Sequence, residues 1–397
     1  MPESILAGMR VLDFGRYIAA PLTCQILADM GAEVIRVERP GGEGDRERSP
    51  HASSGQSLYF STLNRNKKGI TLNLADPRGR ALLRDLATHA DVLVHNLPVS
   101  RAQTMGLSWD GLHAANPRLV LLAVSGFGSD GPYANYSAFD GVLQAMSGAM
   151  SVTGPEGGPA VLAGIPFMDF GTGVYGALSV ALALLHRERT GQGQHIDLSL
   201  FGTGLSYVTS YGLLAEASVN QVVRTPVGNT LIYGVGGSFP TRDGFVVIQT
   251  LTNPLWERLC QTIGRPDLLS TPGLSNDMER FEHRDVIRPI ITAWTQQRTR
   301  DEAMRILGSA GIPVGKVLSA DEVLADVQTN ATNLIRHIQQ PGVGSLPVNL
   351  PPMKFSATPA SVNRPAPGVG EHNAQTYKEV LGLTDRQLAE LVEQKII

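Results

Sequence analysis

Cysteine is nearly absent from this sequence: Cys24 and Cys260 are the only two in 397 residues, and they form no CxxC or CxH spacing. A disulfide framework is therefore not expected, and a reducing cytoplasm is the default compartment. Cys24, among apolar helix residues, reads as a small buried hydrophobe. The nine histidines are scattered without an HxxxH or HExxH pair, so no metal site is expected. No basic run occurs and the net charge is −3, which gives no reason to expect nucleic acid. Long apolar runs are also missing. The most apolar helical stretch, Val174 to Leu185, is twelve residues, too few to cross a bilayer. Met1 to Gly8 lacks a basic segment followed by an apolar one, so no secretory leader and no membrane association are expected. With 42% hydrophobic and 17% charged residues, bulk disorder is excluded.

What remains is a chain long enough for two or three domains, or for one large α/β body with an insertion. Met9 to Phe14 reads as a short buried strand. Pro21 to Met30 has helical spacing and stops at Gly31, and Glu33 to Glu38 reads as a second strand. The alternation continues with a strand over Gly69 to Leu74, a helix over Pro77 to His89 and a strand over Asp91 to His95. A helix over Trp109 to Ala115 and a strand over Arg118 to Ser125 follow. Repeated strand–helix–strand units predict an open, parallel α/β sheet of Rossmann-like form with helices on both faces. A dinucleotide is nevertheless not expected. Gly15-Arg16-Tyr17-Ile18-Ala19-Ala20-Pro21 follows the first strand, and Tyr17 and Ile18 stand where a pyrophosphate would require glycine.

A strand over His195 to Leu200 follows the apolar stretch. Gln221 to Gly244 is rich in turn formers and reads as a domain boundary. A strand at Phe245 to Gln249 and helices at Pro254 to Ile263, Arg284 to Gln296 and Arg300 to Ala310 then form a compact mixed segment. Pro341 to Pro367 reads as extended over the surface, and helices around Thr376 to Leu381 and Asp385 to Glu393 close the chain.

The segment of most chemical interest is Ile165 to Gly173, where Asp169 stands at the mouth of the apolar helix. Between Val174 and Leu185 only Tyr175 and Ser179 carry a side-chain polar atom, so this helix reads as buried. Gly171, Gly173 and Gly176 leave room for a ligand or another backbone. Two readings of Asp169 stay open. It is an N-cap for unpaired helix amides, or a nucleophilic or basic carboxylate held near a positive helix end.

Several stretches together resemble the family III CoA-transferases. They are Gly8-Met9-Arg10-Val11-Leu12-Asp13, the run from Leu27 to Glu38, Asn64-Arg65-Asn66-Lys67-Lys68, Ser125-Gly126-Phe127-Gly128 and Thr190-Gly191-Gln192-Gly193-Gln194. That family contains formyl-CoA and carnitine CoA-transferases, with α-methylacyl-CoA racemases as relatives. The resemblance implies CoA transfer from an acyl-CoA to a free carboxylic acid, with Asp169 as the nucleophile, a CoA thioester as substrate and no tightly bound cofactor. It places Ile18, Ala19, Arg39, Leu72, Asn96, Leu97 and Phe139 along the CoA path. Arg46, Arg65 and Lys68 are further phosphate candidates, each also readable as a solvated charge. Gly236 and Gly237 would supply a mobile cover or an ordinary turn, and Asp140 would assist near Asp169 or cap a helix.

The resemblance also implies a large domain from residues 1–205 and 330–397, a small α+β domain at 225–320, linkers at 206–224 and 321–329, and an interlocked homodimer. The sequence departs from formyl-CoA transferases at Ile18, where they carry glutamine. It departs again at Ala75, Thr104 and Ser137, where they carry basic residues. Racemisation is the alternative activity, but racemases have a histidine where this chain has Phe139, which has no proton to give. A CoA-binding scaffold without catalysis would not need the carboxylate of Asp169.

Overall fold

A computed structural model of the protein describes residues 4–397. The first residues of the Met1–Gly8 stretch, up to Glu3, lie outside the described residues. Among the described residues, six strands form one parallel sheet: β1 (Arg10–Phe14), β2 (Glu33–Glu38), β3 (Lys68–Thr71), β4 (Val92–His95), β5 (Val120–Ser125) and β6 (His195–Ser199). Their order is β3-β2-β1-β4-β5-β6. Strands covered on both faces need apolar side chains on both, and Val92, Leu93 and Val94 of β4 are wholly buried. The chain runs outward from β1 to β3 and then returns to the other side of β1. The carboxyl ends of β1 and β4 therefore flank a crevice of the kind in which open α/β sheets bind ligands.

The helices that accompany this sheet are α1 (Ala19–Asp29), α2 (Leu58–Leu63), α3 (Pro77–Thr88), α4 (Val99–Thr104), α5 (Trp109–Ala115), α6 (Asp140–Met146), α7 (Phe167–Thr190) and α8 (Leu200–Ser210). With the C-terminal helices Asn373–Leu381 and Asp385–Glu393 they belong to one compact unit: the chain up to Gly148, Ala163–Tyr211 and Gln328–Ile397. This unit also holds a hairpin of β10 (Ile335–Gln340) and β11 (Gly344–Asn349). The hairpin occupies the start of the stretch expected to be merely extended. Pro347 is tolerated because it lies in a two-stranded ribbon with free edges.

The second unit comprises Ala149–Leu162 and Gly212–Val327. Its sheet is antiparallel, with β7 (Val235–Thr241) and β9 (Val314–Lys316) on either side of β8 (Gly244–Thr250). Helices Asn253–Thr262, Arg284–Thr295 and Arg300–Ser309 cover a core containing Phe239, Ile248, Trp256 and Ile287. Residues 149–162 thus group with this unit rather than with the sheet domain that precedes them.

Helix α7 differs most from its sequence-based expectation. It has 24 residues rather than twelve, and by length and composition alone it could cross a membrane. Its inner stripe is committed to the protein. Met168, Gly173, Gly176, Val180 and Leu184 are buried, and the buried Arg187 pairs with Asp91 at 2.9 Å. The outer stripe is not buried as expected: Phe170, Val174, Leu178, Leu182 and Leu185 are exposed, Val174 and Leu182 to 57% each. Almost uninterrupted apolar composition conceals two faces with different surroundings.

The glycines of α7 admit other helices. A Cβ on Gly173 would lie 2.8 Å from the Leu22 side chain and 3.0 Å from the Ala19 carbonyl of α1. One on Gly171 would overlap Tyr207 of α8. Close approach of α1 lets the Thr23 hydroxyl donate to the Gly173 carbonyl at 3.0 Å. Gly176→Ala tests this seam, since the new Cβ would sit 2.3 Å from Thr23 Oγ1. Overpacking costs ~1–3 kcal/mol, against ~1 kcal/mol gained in helix propensity. A lowered midpoint in chemical denaturation, partly restored by adding Thr23→Ala, is the expected result.

Candidate active site

The turn joining β1 to α1 is held by buried charges. Asp13 accepts a hydrogen bond from the Gly15 N–H at 2.8 Å and another from Lys67 Nζ at 2.7 Å. Arg36 donates to the Gly15 carbonyl at 2.6 Å and to Asp45 at 2.8 Å, and Asp45 also accepts the Tyr17 N–H at 3.3 Å. Asp13, Arg36 and Lys67 are essentially without solvent exposure, so each charge depends on its partner. From the other side, the Asn96 carboxamide takes the Arg16 N–H at 2.8 Å and donates to the Arg16 carbonyl at 2.7 Å. These contacts hold Tyr17 at φ 64°, the left-handed region that bulky side chains avoid. The turn leads into α1, whose first residue, Ala19, brings its backbone near enough to the Asp169 carboxylate to favour the charged form.

Asp169 is not the N-cap of its helix. α7 begins at Phe167, which makes Asp169 its third residue. The cap comes from Asp140, the first residue of α6, whose Oδ2 accepts the Met168 N–H at 2.8 Å and the Asp169 N–H at 3.1 Å. Its Oδ1 accepts from Gln144, whose own amide oxygen takes the Ala163 N–H at 3.0 Å. Of the readings open for Asp140, the structure shows the cap, and it is the cap of α7. Because the helix amides are served from outside, the Asp169 carboxylate stays free of them. Burial pushes its pKa up to about 7; the Asp140 charge adds to the rise and the Ala19 amide opposes it.

Two tyrosines that sequence reasoning missed complete these surroundings. Tyr17 meets Phe139 edge to face, with ring centroids 5.4 Å apart. The Tyr59 phenol is pushed well above its usual range, by burial first and then by Asp169. The bulk at Tyr17 was the available signal, since it displaces the glycine of a dinucleotide turn. Nothing in the chain order links Tyr59 to Asp169.

A cavity of about 400 Å³ opens at the carboxyl ends of β1, β2 and β4. Of the expected CoA-path residues it is lined by Arg39, Leu72 and Leu97, and it adds Arg16, Arg101 and Met105. Ile18 and Ala19 are buried at the start of α1, and Phe139 is 63% exposed beside Tyr17. Both polar groups of Asn96 are occupied by the Arg16 backbone. Ala75 lines the cavity, whereas Thr104 and Ser137 do not.

The additional phosphate candidates are engaged elsewhere. Arg46 pairs with Glu38 at 2.6 Å and lies over the Phe60 ring; Arg65 is buried against Asp29 at 2.7 Å; Lys68 pairs with Glu33 at 2.6 Å. Gly236 and Gly237 sit within β7, paired with Gln249 and Ile248 of β8, and are buried rather than forming a loose cover. The lack of a side chain at Gly237 admits the Asn229–Thr230 segment: a Cβ there would fall 2.1 Å from the Asn229 carbonyl. Among the described residues no group of three His, Cys, Asp or Glu is arranged to hold a metal.

Comparison with known proteins gives a consistent result. The model of CoA-transferase family III matches residues 6–373. A succinyl-CoA–D-citramalate CoA-transferase of Chloroflexus aurantiacus is 35% identical over 399 residues, covering 100% of this chain and 99% of the relative. A human succinyl-CoA:glutarate CoA-transferase is 30% identical over 396 residues, covering 99% and 90%. Among solved structures, a CAIB/BAIF family protein of Brucella suis superposes with a TM-score of 0.82 at 29% identity, covering 96% of this chain and 100% of that one.

The raised pKa of Asp169 carries a stability consequence of definite sign. Its carboxyl ordinarily titrates at 3.8 and in the folded protein at about 7, so the folded state binds the proton more tightly. Stability is therefore fully retained below the ordinary value and lost as pH rises through about 7. Asp169→Asn removes the buried charge while keeping the side-chain size. The variant should melt higher than the native protein at pH 8, with the difference shrinking as pH falls toward 4, as read by thermal scans across that range.

Proposed function

The chain belongs to CoA-transferase family III and transfers CoA between an acyl-CoA and a carboxylic acid; we propose that it does so through a covalent aspartyl intermediate on Asp169. The observation that carries this reading is a partly buried carboxylate relieved of capping by a second aspartate. Asp169 attacks the thioester carbonyl, the carbon–sulfur bond breaks, and an acyl-aspartyl anhydride and CoA thiolate result. The thiolate then attacks the aspartyl carbonyl, giving an aspartyl-CoA thioester and the first acid as its carboxylate. A second carboxylate attacks this thioester, forming a new anhydride and releasing thiolate. Thiolate attack on the new acyl carbonyl yields the product acyl-CoA and restores Asp169. Each step conserves charge and needs no external oxidant or reductant.

The local geometry suits these steps. The Ala19 backbone, which favours the charged form of Asp169, would also stabilise negative charge developing on the aspartyl oxygen. Anhydrides hydrolyse, so reaction depends on excluding water. Phe139, Tyr17 and Ile18 provide apolar surface near the turn. The relatives' names point to dicarboxylic acids such as succinate, citramalate and glutarate as the substrate class. We further propose that a second copy of the chain covers the exposed stripe of α7, in keeping with the homodimer implied by resemblance. The unpaired, buried Cys24 and Cys260 accord with a cytoplasmic setting.

The covalent step is directly testable. Native enzyme incubated with succinyl-CoA and hydroxylamine should lose activity, and peptide mass should locate a hydroxamate on Asp169. Asp169→Asn keeps the fold and cannot form the adduct, so its transfer rate should fall by several orders of magnitude. Transfer by Asp169→Asn at a near-native rate would exclude the aspartyl intermediate.

A further inference from the structure

We propose that Arg101, on α4, binds a phosphate group of the CoA substrate; the inference rests on the transferase reading and assigns a residue of its binding site. Three guanidinium groups line the cavity, those of Arg16, Arg39 and Arg101. Arg16 is committed to Glu43 at 2.8 Å. Arg39 donates through Nε to the Gly42 carbonyl at 2.8 Å, leaving its outer nitrogens. The exposed Arg101 side chain makes no hydrogen bond or ion pair among the described residues. The acidic residues of the lining do not compete for it, because Glu38 pairs with Arg46 and Glu43 with Arg16.

Position adds to the argument. Arg39 follows β2 and Arg101 follows β4, so the two flank β1 at the carboxyl edge. The same cavity is lined by the apolar side chains of Leu72, Leu74 and Leu97. Ala75 supplies no charge there, and the Thr104 hydroxyl is spent on the Arg101 carbonyl at 2.9 Å. Residues three apart on a helix share a face. Arg101 therefore carries a positive charge on the α4 face that includes Thr104, one turn earlier in the helix. A mobile, doubly charged phosphate between two guanidinium groups satisfies both by charged, bidentate hydrogen bonds.

CoA offers two sources of phosphate, the 3′-phosphate and the diphosphate bridge, and shortened substrates separate them. With succinyl-CoA, Arg101→Gln should raise KM about tenfold to a hundredfold with kcat little changed, and Arg101→Lys should recover part of the loss. If the contact is the 3′-phosphate, the native and Gln forms become equivalent with the dephospho-CoA thioester. If it is the diphosphate, the difference persists with that thioester and vanishes with the pantetheine thioester. An unchanged KM with succinyl-CoA would overturn the assignment, as would an equal loss with the pantetheine thioester. If the native protein transfers no CoA, the transferase reading fails by itself. CoA binding by calorimetry then decides Arg101 separately: a matching rise in Kd for Arg101→Gln supports it, and an unchanged Kd rejects it.

Discussion

The interaction on which the site depends is the capture of two α7 amides by Asp140. A helix start leaves N–H groups without intrahelical partners, and a nearby carboxylate is drawn to them. Had Asp169 met that demand itself, its oxygens would be occupied and its pKa held low. Asp140 meets the demand from a neighbouring helix, and Asp169 is left uncapped in a poorly solvated position. Two like charges close together then reinforce the effect of burial. One aspartate caps the helix, and the other is left uncapped beside it.

Around this pair the protein uses rigid, fully buried ionic contacts rather than flexible side chains. Arg36, Asp45, Asp13 and Lys67 are costly to bury, and each is tolerated because the others satisfy it. Their common target is a turn of a few residues at the sheet's switch point. Catalytic groups need placement to a fraction of an ångström, and a loop gains such precision only from partners it cannot easily leave. Asn96, suggested by resemblance as a CoA contact, spends its carboxamide on this turn.

Much of this arrangement was legible in the sequence. Strand–helix alternation over residues 9–125 yields the parallel sheet because each βαβ unit declares itself locally. The apolar stretch after Asp169 marks a helix for the same reason. Its length and its exposed stripe were not legible, since composition reports hydrophobicity and not what faces it. The role of Asp140 depends on a contact between residues 28 and 29 positions apart, which no periodicity encodes. Glycines were read less well. Gly236 and Gly237 suggested mobility, yet their missing side chains admit the neighbouring Asn229–Thr230 segment and Leu231, and a sequence does not distinguish open space from space already filled. Arg46, Arg65 and Lys68 show the same limit for charge, because their acidic partners come from other elements.

The pairing of the buried Arg187 with Asp91 sets a further condition on how this chain can vary. Arg187 lies about five turns along α7 from Asp169, roughly 27 Å away, so both emerge from the same side of one rod. The rod is thus pinned at one end by an ion pair and at the other by the Asp140 cap. Adding or deleting one residue between them would turn the Asp169 carboxylate by about 100° relative to the anchor and shift it about 1.5 Å. The spacing from Asp169 to Arg187 therefore behaves as a fixed ruler.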